Sequence, residues 1–257
     1  MTSPTERQIE VAGRSLAVAA RPATVVDGRP GLVWLGGFMS DMTSTKAMAL
    51  DAWCAEQGRA MLRFDYSGHG HSSGRFEDGT VGTWLEDALA AILATSSGPQ
   101  ILIGSSMGAW IALLVARALD MAGEADRLAG MVLIAPAVDF TERLMWDRFD
   151  AKVRRAIEED GVWHRPSAYA QTSYPITRVL IEDGRRHLLL GATVRSHCPL
   201  HILQGMRDED VPWQHAMLLL EHVAADPVSL TLVKDGDHRL SRPEDIVRLI
   251  AAVAALA

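Results

Sequence analysis

The chain has 257 residues, 48% of them hydrophobic and 22% charged, with a net charge of −7. That length suits one large α/β domain or two small ones, and the composition is that of a globular protein. The negative charge argues against nucleic acid or an anionic membrane as principal partner, and no apolar run reaches membrane-spanning length.

In chain order, residues 9–11 and 15–19 alternate apolar and polar on either side of Gly13, which predicts a hairpin. Residues 32–35 form a short apolar strand, followed by the loop Gly36-Gly37-Phe38-Met39-Ser40-Asp41. Residues 43–56 are helical in composition, with Gly58 placed as a C-terminal glycine. A strand at 60–64 runs into the glycine-rich stretch Asp65-Tyr66-Ser67-Gly68-His69-Gly70. Thr83 is expected to cap a helix to about residue 95, with Glu86 at the capping-box position. A central strand and its helix follow, then a strand at 128–135. Residues 139–190 break this rhythm, with helical stretches expected at 142–159 and 175–190. The segment is too long for a simple connection and reads as an inserted cap on a core of residues 1–138 and 191–257. Strands at 201–203 and 229–233 and helices at 212–223 and 243–257 complete the chain. The repeated strand–helix alternation implies a mostly parallel, eight-stranded sheet covered by helices on both faces.

The central feature is Gly104-Ser105-Ser106-Met107-Gly108, which matches G-x-S-x-G between an apolar strand and a helix. A turn that sharp needs glycine on both flanks, and it leaves the Ser106 hydroxyl at the apex beside the unpaired N–H groups of a helix N-terminus. A serine hydroxyl is a weak nucleophile until a base takes its proton and a third group orients the base. Asp208, in Gly205-Met206-Arg207-Asp208, and His238, in Asp237-His238-Arg239, each follow a strand, in the chain order this architecture uses. Asp210 and Asp237 compete for the acidic role. Asp237 adjoins the histidine and would have to fold back on its own neighbour. Asp210 precedes Val211-Pro212, where it is placed to cap the next helix. His69 and His71 could also face the site. Acyl transfer further requires donors for a developing oxyanion, and the backbone N–H groups of Phe38 and Met107 are the candidates. Trp146, Trp163 and Tyr174, in the inserted segment, are expected to line an apolar acyl pocket. No Cys/His metal spacing or phosphate-binding lysine motif is present, so no cofactor is expected.

These residues resemble the α/β-hydrolase superfamily over nearly the full length. Within it they resemble the acyl-thioesterase branch that contains the mitochondrial palmitoyl-protein thioesterase, also described as mycophenolic acid acyl-glucuronide esterase. The resemblance rests on Gly37-Phe38-Met39-Ser40-Asp41-Met42 with Thr45-Lys46-Ala47, on Arg63-Phe64-Asp65-Tyr66-Ser67-Gly68-His69-Gly70, and on the Ser106 elbow. It also rests on Gly161-Val162-Trp163, Gly205-Met206-Arg207-Asp208 with Val211-Pro212-Trp213, and Asp237-His238-Arg239. It implies a serine hydrolase with Ser106 as nucleophile, Asp208 as acid and His238 as base, acting on small-molecule or protein-linked acyl esters or thioesters. A carbon–carbon bond hydrolase, a peptidase or a non-catalytic binding protein on the same fold are the alternatives. Cys54 and Cys198 read as buried free thiols, which suits a reducing compartment. Residues 1–7 contain no apolar signal core and no counterpart of the organelle-targeting extension of the family's eukaryotic member. The expected location is therefore the cytoplasm.

Overall fold

The computed structural model describes residues 3–166, 173–224 and 227–256. Among these described residues, ten strands and seven α-helices follow in chain order: β1 (Thr5–Val11), β2 (Arg14–Arg21), β3 (Gly31–Leu35), α1 (Thr45–Gln57), β4 (Met61–Phe64), α2 (Val81–Thr95), β5 (Gln100–Ser105), α3 (Met107–Met121) and β6 (Leu128–Ile134). Then come α4 (Ala151–Asp160), β7 (Val162–Arg165), β8 (Tyr174–Thr177), α5 (Arg178–Gly184), β9 (Leu200–Gly205), α6 (Trp213–His222), β10 (Val228–Val233) and α7 (Pro243–Ala254). Eight strands form one sheet in the order β1-β2-β4-β3-β5-β6-β9-β10, with the β1–β2 and β2–β4 pairs antiparallel and the remaining pairs parallel. The N-terminal hairpin, the parallel core and the burial of both faces agree with the sequence pattern. Every residue of β3 and β5 is buried, as a strand covered on both sides requires.

The two faces have separate cores. On one, Trp84 of α2 and Trp110 of α3 pack with Leu102, Leu133 and Phe64. On the other, Leu50 and Cys54 of α1 and Leu249 and Val253 of α7 pack on Trp34, Ile103 and Val132. Cys54 and Cys198 are buried and neither is in a disulfide. The register then sets the functional edge. Leu35 lies beside Gly104, Ser105 beside Ile134, and Gly205 beside Val233, so β3, β5, β9 and β10 end level. The loops that follow them meet at the carboxyl edge, where open α/β sheets bind ligands.

Three local expectations are corrected. Helix α2 starts three residues earlier than expected, because Thr80 takes the N-cap position and its hydroxyl accepts from the Thr83 N–H at 3.1 Å. Glu86 pairs with Arg14 instead of closing a capping box. The helix expected at 142–159 is broken into a π turn (Thr141–Met145), a 3-10 turn (Trp146–Arg148) and α4. Asp150 restarts it as an N-cap, accepting from the Val153 N–H at 2.8 Å. The helix expected at 175–190 begins instead as strand β8, antiparallel to β7 in a separate two-stranded sheet. Proline suits an extended edge position, and Thr177 caps the shorter helix α5 through the Leu180 N–H. Residues 167–172 of this segment lie outside the described residues.

Candidate active site

Ser106 sits at the junction of β5 and α3 with φ 54° and ψ −116°. A non-glycine residue there costs about 1–3 kcal/mol and persists only where its surroundings hold it. They do so from both sides. The Ser106 N–H donates to the Ile134 carbonyl at 2.8 Å, and its carbonyl accepts from Ala109 at 3.0 Å and Ala137 at 3.2 Å. The flanking glycines allow the close approach. A methyl group at Gly104 would lie 2.4 Å from the Gly108 carbonyl oxygen. One at Gly108 would collide with the Leu35 carbonyl oxygen, 2.1 Å away. The Ser106 side chain is the helix N-cap, yet it makes no capping bond, which leaves its hydroxyl for another partner.

That partner is His238. Its Nε2 lies 3.1 Å from Ser106 Oγ, and its Nδ1 lies 2.8 Å from Asp208 Oδ2. With Nδ1–H donating to the carboxylate, Nε2 carries the lone pair facing the hydroxyl. The Asp208 side chain is fully buried while the His238 side chain retains 21% exposure. Asp208 is also fixed on its other sides. Oδ1 accepts from the N–H groups of Asp210 at 3.0 Å and Val211 at 2.8 Å, and Oδ2 from Gln204 Nε2 at 3.2 Å. The loops after β9 and β10 touch: a methyl at Gly205 would lie 2.4 Å from the Gly236 carbonyl oxygen. Asp237 instead accepts from the Leu240 N–H at 3.0 Å, and Asp210 lies 3.9 Å from Arg165. Ser106, His238 and Asp208 are thus brought together, and neither competing aspartate takes the place of Asp208 against the ring. Asp208, Asp210 and His238 also present ligand-type atoms within 4.8 Å of one another, but His238 Nδ1 and both Asp208 oxygens are committed to the bonds above.

The Phe38 loop closes on the elbow from β3. A methyl at Gly37 would lie 3.3 Å from the Ser105 carbonyl oxygen and 3.5 Å from Ser106 Cβ. The Phe38 ring packs edge-on against Phe76, Trp84, Phe140 and Tyr174, with centroids 4.8–6.1 Å apart. Met107 is the first residue of α3, so its N–H belongs to the unpaired first turn. A cavity of about 630 Å³ opens over Ser106 and His238 and is lined by Phe38, Phe140, Met145, Phe149, Trp163 and Tyr174, among others. Arg148, Arg165, Glu209 and Asp210 supply its charge. Trp146 is not among the lining residues. Its ring lies between the guanidinium groups of Arg154 and Arg185, 5.4 and 4.9 Å from the centroid, because the broken helix turns it away. Phe140, Met145 and Phe149 escaped the sequence reading, since their apolar spacing resembled ordinary helix packing.

His69 does not reach Ser106; it supports the Phe38 loop. It is 4% exposed. Its Nδ1 lies 3.2 Å from the Ser67 carbonyl oxygen and its Nε2 3.2 Å from the Met39 nitrogen. Nδ1 therefore donates, and Nε2 accepts from the Met39 N–H. A second ring proton would face that N–H, and burial lowers the His69 pKa from its ordinary 6.5. The sign follows: the unfolded chain takes up the proton first, so this stability is complete above pH 6.5 and is lost as pH falls toward the folded value. The expected result is a Tm that drops below pH 6.5, with a shallower drop in His69→Gln, read from melting curves of both proteins between pH 5 and 8. Asp65 organises the same loop, accepting from the N–H groups of Met42 at 2.7 Å and His71 at 2.8 Å.

Comparison with known proteins gives the chain's family. A family profile described as serine aminopeptidase, S33, matches residues 32–159. Palmitoyl-protein thioesterase ABHD10, mitochondrial, from Homo sapiens is 34% identical over 225 residues, 87% of this chain and 72% of that protein. The Pongo abelii protein of the same name is 35% identical over the same shares. A solved structure from Agrobacterium vitis S4 superposes with a TM-score of 0.95 at 46% identity, covering 99% of both chains. Mouse alpha/beta hydrolase domain-containing protein 10 superposes with a TM-score of 0.86 at 31% identity, covering 98% of both. The relatives' mitochondrial names overturn the expectation of a cytoplasmic enzyme. A targeting leader is no part of the fold, so the character of residues 1–7 does not report location. The chain belongs to the α/β-hydrolase superfamily, in the hydrolase family of mitochondrial palmitoyl-protein thioesterase ABHD10.

Proposed function

We propose that this hydrolase cleaves carboxylic esters or acyl thioesters through an acyl-enzyme on Ser106. The observation that carries the reading is the hydrogen-bonded line from Ser106 Oγ through His238 to Asp208 at the mouth of the aromatic cavity. Ser106 Oγ attacks the acyl carbonyl as His238 Nε2 takes its proton, and Asp208 holds the imidazole and stabilises its charged form. The N–H groups of Phe38 and Met107 receive the oxyanion. Collapse of the tetrahedral intermediate expels the alcohol or thiol, protonated by His238. Water, deprotonated by the same nitrogen, then attacks the acyl-enzyme and releases the acid and free Ser106.

Residues 139–190 act in this reading as a cap that roofs the acyl group. Two features support it. Phe149 and Trp163, from different elements of the segment, meet with centroids 5.2 Å apart and both line the cavity. Both ends of the segment are also clipped to one carboxylate: buried Asp139, at φ 56°, accepts from the N–H groups of Leu189 and Leu190 at 2.8 Å each. Trp163 and Tyr174 are then the acyl-contacting residues. The name of the ABHD10 relatives favours an acyl thioester among the substrates.

The test is a series of acyl esters and acyl thioesters from acetyl to palmitoyl, run on wild type and Ser106→Ala. The expected result is wild-type turnover that rises with acyl length until the cavity is filled, and none above background in the variant. Turnover of peptides or of carbon–carbon bonds in preference to every ester and thioester would overturn the substrate assignment.

A further inference from the structure

We propose that Lys46 is a positioning residue for the candidate base, holding the turn that carries His238 from helix α1. The inference rests on the triad reading above. Lys46 is the second residue of α1 and is 8% exposed. Its Nζ donates to the carbonyl oxygen of Arg239, the residue directly after His238, and lies 3.5 Å from Ser241 Oγ. Ser241 Oγ donates to the same carbonyl at 2.9 Å. The turn needs an anchor, because Leu240 adopts φ 41°, a left-handed conformation unfavourable for a leucine.

The surroundings argue for a positioning role over packing. A small void beside Lys46 is lined by Ile134, Leu203, Val233, Leu240 and Leu249, and by Asp245 and Arg248 of α7. Such a site would accept methionine or leucine, and burying an ammonium there carries a desolvation cost. Among the described residues, Lys46 forms no ion pair within 4.0 Å. What the ammonium adds is a charge-assisted bond that ties α1, which follows the Phe38 loop, to the His238 turn. The two nascent halves of the site are 193 residues apart in sequence. The charged groups around Nζ are Asp237 and Arg239 on the turn and Asp245 and Arg248 on α7. Strands β6, β9 and β10 present only apolar side chains to it. Burial pulls the Lys46 pKa down to about 8, with Arg239 pushing the same way and Asp237 and Asp245 opposing. Below pH 8 the bond to Arg239 is charge-assisted. Above it a neutral amine remains, and such bonds are roughly half as strong.

The experiment measures kcat, KM and Tm across pH 6 to 10 for wild type, Lys46→Met and Lys46→Arg, with Ser106→Ala as control. A misplacement of about 1 Å costs on the order of 10²-fold in rate, so Lys46→Met is expected to lose roughly 10- to 100-fold in kcat with KM within about twofold. Wild-type kcat is expected to decline with a midpoint near pH 8, and Lys46→Arg to restore activity and abolish that decline. A Lys46→Met enzyme with wild-type kcat overturns the proposal, as does a wild-type profile flat to pH 10. If Lys46→Met fails to fold, the wild-type and Lys46→Arg profiles decide by the same criterion. Ser106→Ala separates the two failures. Full activity in that control sinks the triad reading itself, whereas an inactive control beside a fully active Lys46→Met sinks only the role of Lys46.

Discussion

Asp208→Asn is expected to lower kcat for acyl-ester hydrolysis by about 10⁴-fold, as the equivalent change does in a well-studied serine protease, while the fold is kept. Asparagine keeps the size of the side chain and can still accept from the Val211 and Asp210 N–H groups through one oxygen. Its NH₂ would face His238 Nδ1, which in the native protein lies 2.8 Å from Asp208 Oδ2. A donor there forces the ring into the tautomer with the proton on Nε2, the nitrogen that must be free to receive the Ser106 proton. The check is steady-state kinetics with an activated ester, beside a circular dichroism spectrum matching wild type. A variant that loses less than tenfold would move the acidic role elsewhere.

Gly108→Ala is expected to have the largest effect on stability. The added methyl would lie 2.1 Å from the Leu35 carbonyl oxygen and 2.6 Å from that of Gly36. Both are backbone atoms of β3 and its loop, so no rotamer change relieves the clash. Helix α3 must move away from β3, and α3 carries the core of one face through Trp110, Ile111 and Leu114. Overpacking of this kind costs about 3 kcal/mol, or a Tm drop of roughly 6 °C for a domain of this size. The same movement withdraws the Met107 N–H from the elbow, so residual folded protein should have low activity. Thermal melting and esterase assays on Gly108→Ala check both halves. A Tm within two degrees of wild type would contradict this account of the elbow.

The parts that were legible in the sequence are those where local chemistry and long-range packing demand the same residues. Gly104 and Gly108 are required by contacts to α3 and β3, and the turn type already demands them. Asp208 and His238 each follow a parallel strand by a few residues, β9 and the edge strand β10, so the sheet delivers them to one edge without help from the loops. Asp208 lies against His238 where Asp210 does not, for a reason the sequence hides. It is enclosed by Gln204 and by the Asp210 and Val211 N–H groups. The burial of Lys46 was not legible, because a lysine near a helix start ordinarily faces solvent.

Residues 139–190 were poorly legible for the opposite reason. Their strands have four residues each and α5 has seven, too short for periodicity to register. They are held by partners distant in sequence, as when Arg143 donates to the Leu190 carbonyl at 3.0 Å. Trp146 was expected in the pocket from its residue type, yet its neighbours Arg154 and Arg185 give its ring a cation-stacking role. Location was misread because the opening residues carry no information about the fold or its relatives.

The central claim is a covalent acyl group on Ser106, and its most direct test is intact-protein mass spectrometry of enzyme quenched with acid during turnover of a slowly deacylated ester. The account predicts a mass increase equal to the acyl group minus one hydrogen, mapped by peptide fragmentation to Ser106 and absent from Ser106→Ala. An enzyme that turns over the ester with no adduct, or with the adduct on another residue, would contradict it.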